Sequence, residues 1–244
     1  MLKFVGTGSA FNTKLGNNSA YIKEGNKLFL IDCGSANFHR MKESGLLDDV
    51  DFINVFVTHT HADHVGSLAD LIFYMYYAKG ELKKRVTVYA HENIQVDSFL
   101  DMNGVISGEV YEYYPINDDD EDVVVELHDF YFGFLTYQTI HVDELCSYGI
   151  GIKNYVTNEH IIYTGDTNEL SENFNKVFEE GKLDKLYVDT CSQDYEGNVH
   201  LSLLKLSQII NKEHRNKVWC MHLDEKFDVE YAKSLGFNVA EVEI

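Results

Sequence analysis

The chain is short of positive charge. Its 244 residues carry 20 Lys+Arg against 40 Asp+Glu, a formal net charge of -20 at pH 7. A protein that grips a long nucleic acid neutralises phosphates with a basic face, so this balance argues against long DNA or RNA as a partner. The tight basic cluster Lys83-Lys84-Arg85 reads as a solvated helix end. A small anionic ligand stays open, because metal ions and backbone N–H groups hold a single phosphate without a basic surface. Long apolar runs are missing too, and nothing approaches the ~20 residues of a membrane span. The opening Met1-Leu2-Lys3-Phe4-Val5-Gly6-Thr7 lacks the tripartite pattern of a signal peptide, so a soluble cytoplasmic protein with no membrane partner is expected. The four cysteines, Cys33, Cys146, Cys191 and Cys220, are scattered without a Cys-x-x-Cys. They read as buried free thiols and exclude a disulfide scaffold. There is one proline, Pro115, and no low-complexity linker, repeat or composition break. Residues 1–244 therefore read as a single domain.

Hydrophobic residues make up 45% of the chain, enough for a sizeable core. Strands are expected over Leu2–Val5, Phe52–Val57, Val86–Ala90, Val123–Leu127, Phe130–Ile140 and Leu186–Asp189. Ser19–Lys23 and Lys27–Asp32 form a hairpin across Glu24-Gly25-Asn26, and Tyr148–Tyr155 with His160–Thr164 form another. Helical patterns cover Val65–Lys79, part of Ile94–Tyr114, and Ser202–Lys212; Lys217–Met221 reads as the final long strand. The first helix is rich in aromatics (Phe73, Tyr74, Tyr76, Tyr77). Such a stripe serves as core or dimer contact, or as a base-stacking wall if it is partly exposed. Asn117–Asp122 is a solvated acidic loop without EF-hand spacing.

The richest chemistry lies in Thr58-His59-Thr60-His61-Ala62-Asp63-His64, where three imidazoles and a carboxylate fall within six residues directly after a strand. A strand-to-helix turn lets a rigid scaffold aim short side chains at one point. Imidazole with carboxylate suits zinc, manganese or iron. His59 and His61, two apart, can reach one ion, while Asp63 and His64 can reach a second, and a pair of ions can lower the pKa of a shared water. Further candidate ligands also follow strands: His141 after Tyr137–Ile140, Asp166 in Tyr163-Thr164-Gly165-Asp166-Thr167, and His222 after Val218–Met221. His39, His91, His128, His160 and His214 lack partners at useful spacing and read as surface or satisfied core residues. His200, in Gly197-Asn198-Val199-His200-Leu201-Ser202, stands just before a helix that Ser202 can cap.

The His-x-His-x-Asp-His pattern resembles the signature of the metallo-β-lactamase superfamily. That resemblance implies a four-layer αββα sandwich with a dinuclear hydrolytic centre at one edge. It assigns His59, His61 and His141 to one metal, Asp63, His64 and His222 to the other, and Asp166 as the bridge, with two divalent ions, zinc or manganese, as cofactors. Gly6-Thr7-Gly8-Ser9-Ala10, Asn17-Asn18-Ser19-Ala20-Tyr21, Ser147-Tyr148-Gly149 and the His200-Leu201-Ser202 segment look like the tRNase Z branch, where the equivalent histidine acts on the leaving group. His141 to Asp166 spans only 25 positions (166 − 141), leaving no room for the tRNA-binding arm of that branch. A compact acidic chain of this kind is similar to phage and bacterial anti-Pycsar proteins. That implies a homodimeric phosphodiesterase, cytoplasmic in the bacterial host, hydrolysing 3′,5′-cyclic nucleotides with Asp63 and His200 as catalytic residues. Tyr111-Glu112-Tyr113-Tyr114 and the acidic loop after it are candidates for completing a partner subunit's site. The alternative is a tRNA 3′-processing endonuclease.

Overall fold

A computed structural model describes residues 2–80, 85–119, 123–127 and 130–244. Lys83, Lys84, Asp120–Asp122 and His128 lie outside the described residues. The chain separates into two compact units: Met1–Asp120 with Glu126–Phe130 and Glu241–Ile244, and Glu121–Val125 with Tyr131–Ala240.

The first unit is built on a six-stranded sheet in the order β1(Lys3–Gly6), β2(Ser19–Glu24), β3(Lys27–Ile31), β4(Phe52–Val57), β5(Val86–His91), β6(Glu112–Ile116). The expected hairpin joins β2 to β3 in antiparallel register, Ala20 opposite Ile31. From β3 to β6 the pairing is parallel. Parallel neighbours need crossovers, and helices supply them: α1(Asn37–Glu43) before β4, α2(Ala62–Val65) and α3(Leu68–Phe73) before β5, α4(Val96–Met102) before β6. Strands covered on both faces read as continuous apolar runs. Accordingly Leu28, Phe29, Leu30, Ile31, Val55, Phe56 and Val57 are fully buried.

The expected helix over Val65–Lys79 is interrupted. α2 stops at Gly66, where a Cβ would lie 2.2 Å from Ser35 Oγ and 2.4 Å from Ala62 O, so only glycine lets the chain pass. α3 then runs on into a π-helical turn over Tyr74–Ala78. Its aromatics are not core: Phe73, Tyr74 and Tyr76 are half-buried and Tyr77 is 64% exposed. Glu112–Tyr114, expected within a helix-and-loop region and as part of a partner-reaching segment, belongs to β6 at the sheet's margin. Only Ile116 of this strand is buried, as fits an edge strand.

The second unit carries the seven-stranded sheet, ordered β13(Asn238–Val239), β12(Val218–Met221), β11(Lys185–Asp189), β10(His160–Tyr163), β9(Leu145–Asn154), β8(Phe130–Val142), β7(Val123–Leu127). β8, β9 and β10 pair antiparallel, and β10 through β13 run parallel. The helices are α5(Asn173–Glu179), α6(Leu203–Ile209) and α7(Val229–Ser234). Ser202 caps α6 as expected, accepting the Lys205 N–H at 3.2 Å. β12 is neither long nor last: α7, capped by Asp228, and the two-residue β13 follow it. Short amphipathic elements leave too little periodicity to be read from sequence, which is why α1, α5 and α7 were not anticipated.

All four cysteines are free: Cys33 and Cys220 are buried, and Cys146 and Cys191 half-buried. Burial pushes the Cys33 and Cys220 thiols up to about 12, so neither is a nucleophile near neutral pH. Among the described residues no helix is long and apolar enough to cross a membrane.

Candidate functional site

In the first unit β4 delivers Thr58 and His59, both fully buried, and α2 opens at once, carrying Asp63 and His64. The turn fits closely over the end of β3. A Cβ on Gly34 would lie 1.9 Å from Asp63 O, so a glycine is required beneath the loop. Asp32, just past β3, has a left-handed backbone (φ 63°) and a fully buried side chain. Its Oδ1 accepts the Thr58 N–H at 2.8 Å; its Oδ2 accepts the Thr58 hydroxyl at 2.8 Å and faces His64 Nδ1 at 2.7 Å. Burial pushes the Asp32 carboxyl up, and the adjacent His64 pulls it back. Thr58 donates to both of its oxygens, which favours the carboxylate form and leaves His64 Nδ1 as a third donor.

These bonds settle the tautomers. The single Thr58 hydroxyl proton goes to Asp32, so toward His59 Nδ1, 3.0 Å away, that oxygen accepts. His59 and His64 therefore carry their protons on Nδ1 and present Nε2 lone pairs. His59 Nε2 lies 3.0 Å from His61 Nδ1, and His64 Nε2 lies 3.4 Å from Asp63 Oδ2.

In the second unit the site residues stand at the carboxyl ends of β8, β10, β11 and β12. His141 closes β8, Asp166 follows β10, Asp189 ends β11 and His222 follows β12 with φ 57°. Asp166 Oδ2 is central: His141 Nε2 is 3.6 Å away and His222 Nε2 3.5 Å. His141 Nδ1 donates to Val199 O at 3.0 Å, so its Nε2 is also a lone pair. Asp189, fully buried, accepts the Thr167 N–H at 3.0 Å and the His200 Nδ1–H at 2.7 Å on Oδ2; its Oδ1 lies 3.4 Å from His222 Nδ1. Burial opposes a charged His200, yet the Asp189 carboxylate outweighs it, and the His200 pKa lies above its usual value. The His200 side chain is 26% exposed.

The donor set fits divalent cations. Atoms that share a tetrahedral ion at ~2.0–2.1 Å lie about 3.3–3.4 Å apart, and somewhat less at higher coordination number. The His59–His61, His64–Asp63, His141–Asp166 and His222–Asp166 separations of 3.0, 3.4, 3.6 and 3.5 Å are all close to that edge length. The rings of His59, His64 and His141 are also fixed through their other nitrogen, as metal-bound histidines are. Asp166, Asp189, His200 and His222 offer ligand atoms within 4.8 Å of one another. The 2.7 Å His200–Asp189 contact is, however, a hydrogen bond with a proton in it, not the edge of an ion's shell.

The structure thus groups His59, His61, Asp63 and His64 in one unit and His141, Asp166, His200 and His222 in the other. Asp32, Thr58 and Asp189 were missed from sequence. Their signal was an acid or hydroxyl directly at the end of an apolar strand, the same position that marked Asp166. Among the described residues none of His39, His91, His160 and His214 joins a group of metal-competent side chains. His39 pairs with Glu43, His91 is buried against Asn93 N and Asp118, and His214 stacks on Phe178.

Comparison with known proteins places this geometry in context. The chain is similar to "Anti-Pycsar protein Apyc1" of Bacillus phage BSP38, 29% identical over 254 residues with 96% of this chain and 92% of the relative covered. The protein of the same description from Paenibacillus harenae is 26% identical over 259 residues, with 98% and 96% covered. Among solved structures, the metallo-β-lactamase fold protein YhfI from Bacillus subtilis superposes with a TM-score of 0.74 at 17% identity, covering 100% of this chain and 97% of that one. A diphosphatase of the PhnP family gives 0.72 at 18% identity, covering 100% and 95%. These likenesses establish the metallo-β-lactamase fold expected from sequence. A family model described as "Anti-Pycsar protein Apyc1" matches residues 1–240, and the chain belongs to that family.

Proposed function

We propose that this protein is a dinuclear metal-dependent phosphodiesterase that opens 3′,5′-cyclic nucleotides to nucleoside 5′-monophosphates, as a viral counter-defence against cyclic-nucleotide immune signalling. The observation that carries the reading is Asp166 Oδ2, at ion-sharing distance from both His141 Nε2 and His222 Nε2, within a chain that matches the anti-Pycsar family. On this reading one ion would be held by His59, His61 and His141 and the other by Asp63, His64 and His222, with Asp166 available to both and the chain acting as one domain. Bound divalent ions, zinc or manganese, supply Lewis acidity toward the phosphoryl oxygens and lower the pKa of a water. Asp63 orients that water for in-line attack and takes up its proton. His200 keeps Nδ1–H on Asp189, which leaves Nε2–H to protonate the departing 3′ oxygen as the P–O3′ bond breaks.

The interval between His141 and Asp166 is filled by β9 and β10, with no inserted arm. With the net charge of -20, this favours a small phosphodiester over tRNA. The enzyme acts as a homodimer in the host cytoplasm. Chromatography of cyclic mono- and dinucleotides after incubation with zinc- or manganese-loaded protein tests the reading, and 5′-monophosphate products are expected. Intact cyclic nucleotides, or efficient cleavage of precursor tRNA in their place, would overturn it.

A further inference from the structure

The second unit holds a cavity of about 500 Å³ that the mechanism leaves unused. Its walls come from segments on either side of site residues. Glu169 and Leu170 follow Asp166 closely; Tyr195 and Glu196 precede His200 in the same loop, and Leu201 comes directly after it. The volume lies within the range of small-molecule sites. Its lining mixes Leu170, Leu201 and Ile209 with Asn168, Asn198 and Gln208, and Tyr195 is 57% exposed. Its charges are Glu169 and Glu196 against Lys205, whose ammonium is already 3.3 Å from Asp194. Such a lining disfavours a phosphate and suits an uncharged, flat, amino-bearing group. A neighbouring cavity of about 480 Å³ is less suited. Its hydroxyls are engaged internally: Thr139 with Ser147 and Asp166 O, Thr164 with Gly165 O, Thr167 with Ile140 O and Glu169 O.

We propose that the cavity beside His200 receives the nucleobase of the substrate, stacked on Tyr195, while the phosphate stays at the metal ligands; this rests on the phosphodiesterase reading above. His200 serves the 3′ oxygen, and in a 3′,5′-cyclic nucleotide the base stands on C1′, two carbons along the same ribose from C3′, so a base held by the loop that carries both Tyr195 and His200 keeps the 3′ oxygen near His200. A stacking tyrosine accepts every base, because each has a π-face, and the carboxylates at the mouth accept N–H donors from the base edge.

The test compares Tyr195→Ala and Tyr195→Phe on a cyclic nucleotide and on methyl riboside 3′,5′-cyclic phosphate, which keeps the ring and phosphate but has no base. One base stacked on an aromatic ring is worth ~1–3 kcal/mol, so Tyr195→Ala is expected to raise the KM for the cyclic nucleotide roughly 5- to 150-fold. The same change should move the abasic ester's KM far less, and Tyr195→Phe should restore the wild-type KM. An unchanged KM for the cyclic nucleotide, or an equal rise for both esters, overturns the base pocket. Failure of the wild-type enzyme to cleave either ester refutes instead the phosphodiesterase reading on which the pocket rests.

Discussion

Replacing Asp189 by asparagine removes one negative charge and almost no volume, so it isolates what that carboxylate does. It holds His200 Nδ1 at 2.7 Å on one oxygen and stands 3.4 Å from His222 Nδ1 on the other. A hydrogen bond to a charged group contributes about 1.5–3 kcal/mol, which at 1.4 kcal/mol per decade is roughly 10- to 150-fold in stabilisation of the protonated imidazole. If His200 donates the proton to a 3′ alkoxide, kcat on a cyclic nucleotide should fall by on the order of 10²-fold, within the usual span of a general acid. A phosphodiester with a 4-nitrophenolate leaving group departs without that proton and should lose much less. Because the carboxylate holds the His200 pKa up, its removal should also shift the alkaline fall of activity to lower pH. The Oδ1 contact with His222 adds a second loss of about 10–100-fold in metal affinity, which would affect both substrates alike. The assay is therefore run at saturating metal, on both esters, across pH. Equal losses on the two substrates would refute the leaving-group role and leave Asp189 as a support for His222 alone.

Other predictions follow from the same geometry. His61→Ala should abolish most activity and remove at least one metal equivalent, read by elemental analysis of the purified protein. Bound metal and activity should both fall as the medium is made acidic, since protons compete with the metal for the imidazole lone pairs; proton release on metal loading, read by titration, checks it, and loading without proton release at acid pH would count against imidazole ligation. Gly34→Ala places a methyl 1.9 Å from Asp63 O, so the ligand loop must shift. Overpacking of this kind costs roughly 1–3 kcal/mol, seen as a lowered Tm together with weakened metal retention. Chelation should lower the Tm of the wild-type protein and leave His61→Ala less affected, because a ligand held only by the native state stabilises it by mass action.

The histidine cluster was legible in the sequence because four ligand-competent residues in six admit few other uses. Its location was legible because Phe52–Val57 is an apolar run, interrupted at Asn54 alone, that ends where the cluster begins. His141, Asp166 and His222 could be picked out by the same sign, a polar residue closing an apolar strand, and Ser202 by its cap position. Asp32, Thr58 and Asp189 escaped. An acid at a strand end is common, and nothing in the chain indicates that Thr58 hands its proton to Asp32, so fixing the His59 tautomer, or that Asp189 divides its two oxygens between His200 and His222. The need for glycine at position 66, where α2 ends, escaped as well, since Ser35, thirty-one positions away (66 − 35), fills the space a side chain would take.

The sequence alone determined which atoms can bind metal, the strand-and-helix order that carries them, and a charge too acidic for a long nucleic acid. These are local or additive properties, fixed by residue type and short-range periodicity. Tertiary structure decided which nitrogen of His59, His64, His141 and His200 faces a fixed partner, which carboxylates hold the rings in place, and where a cavity lies next to the His200 loop. Those depend on contacts a few ångströms long between residues that the chain separates by tens of positions, and only the folded sheets and turns bring such residues together.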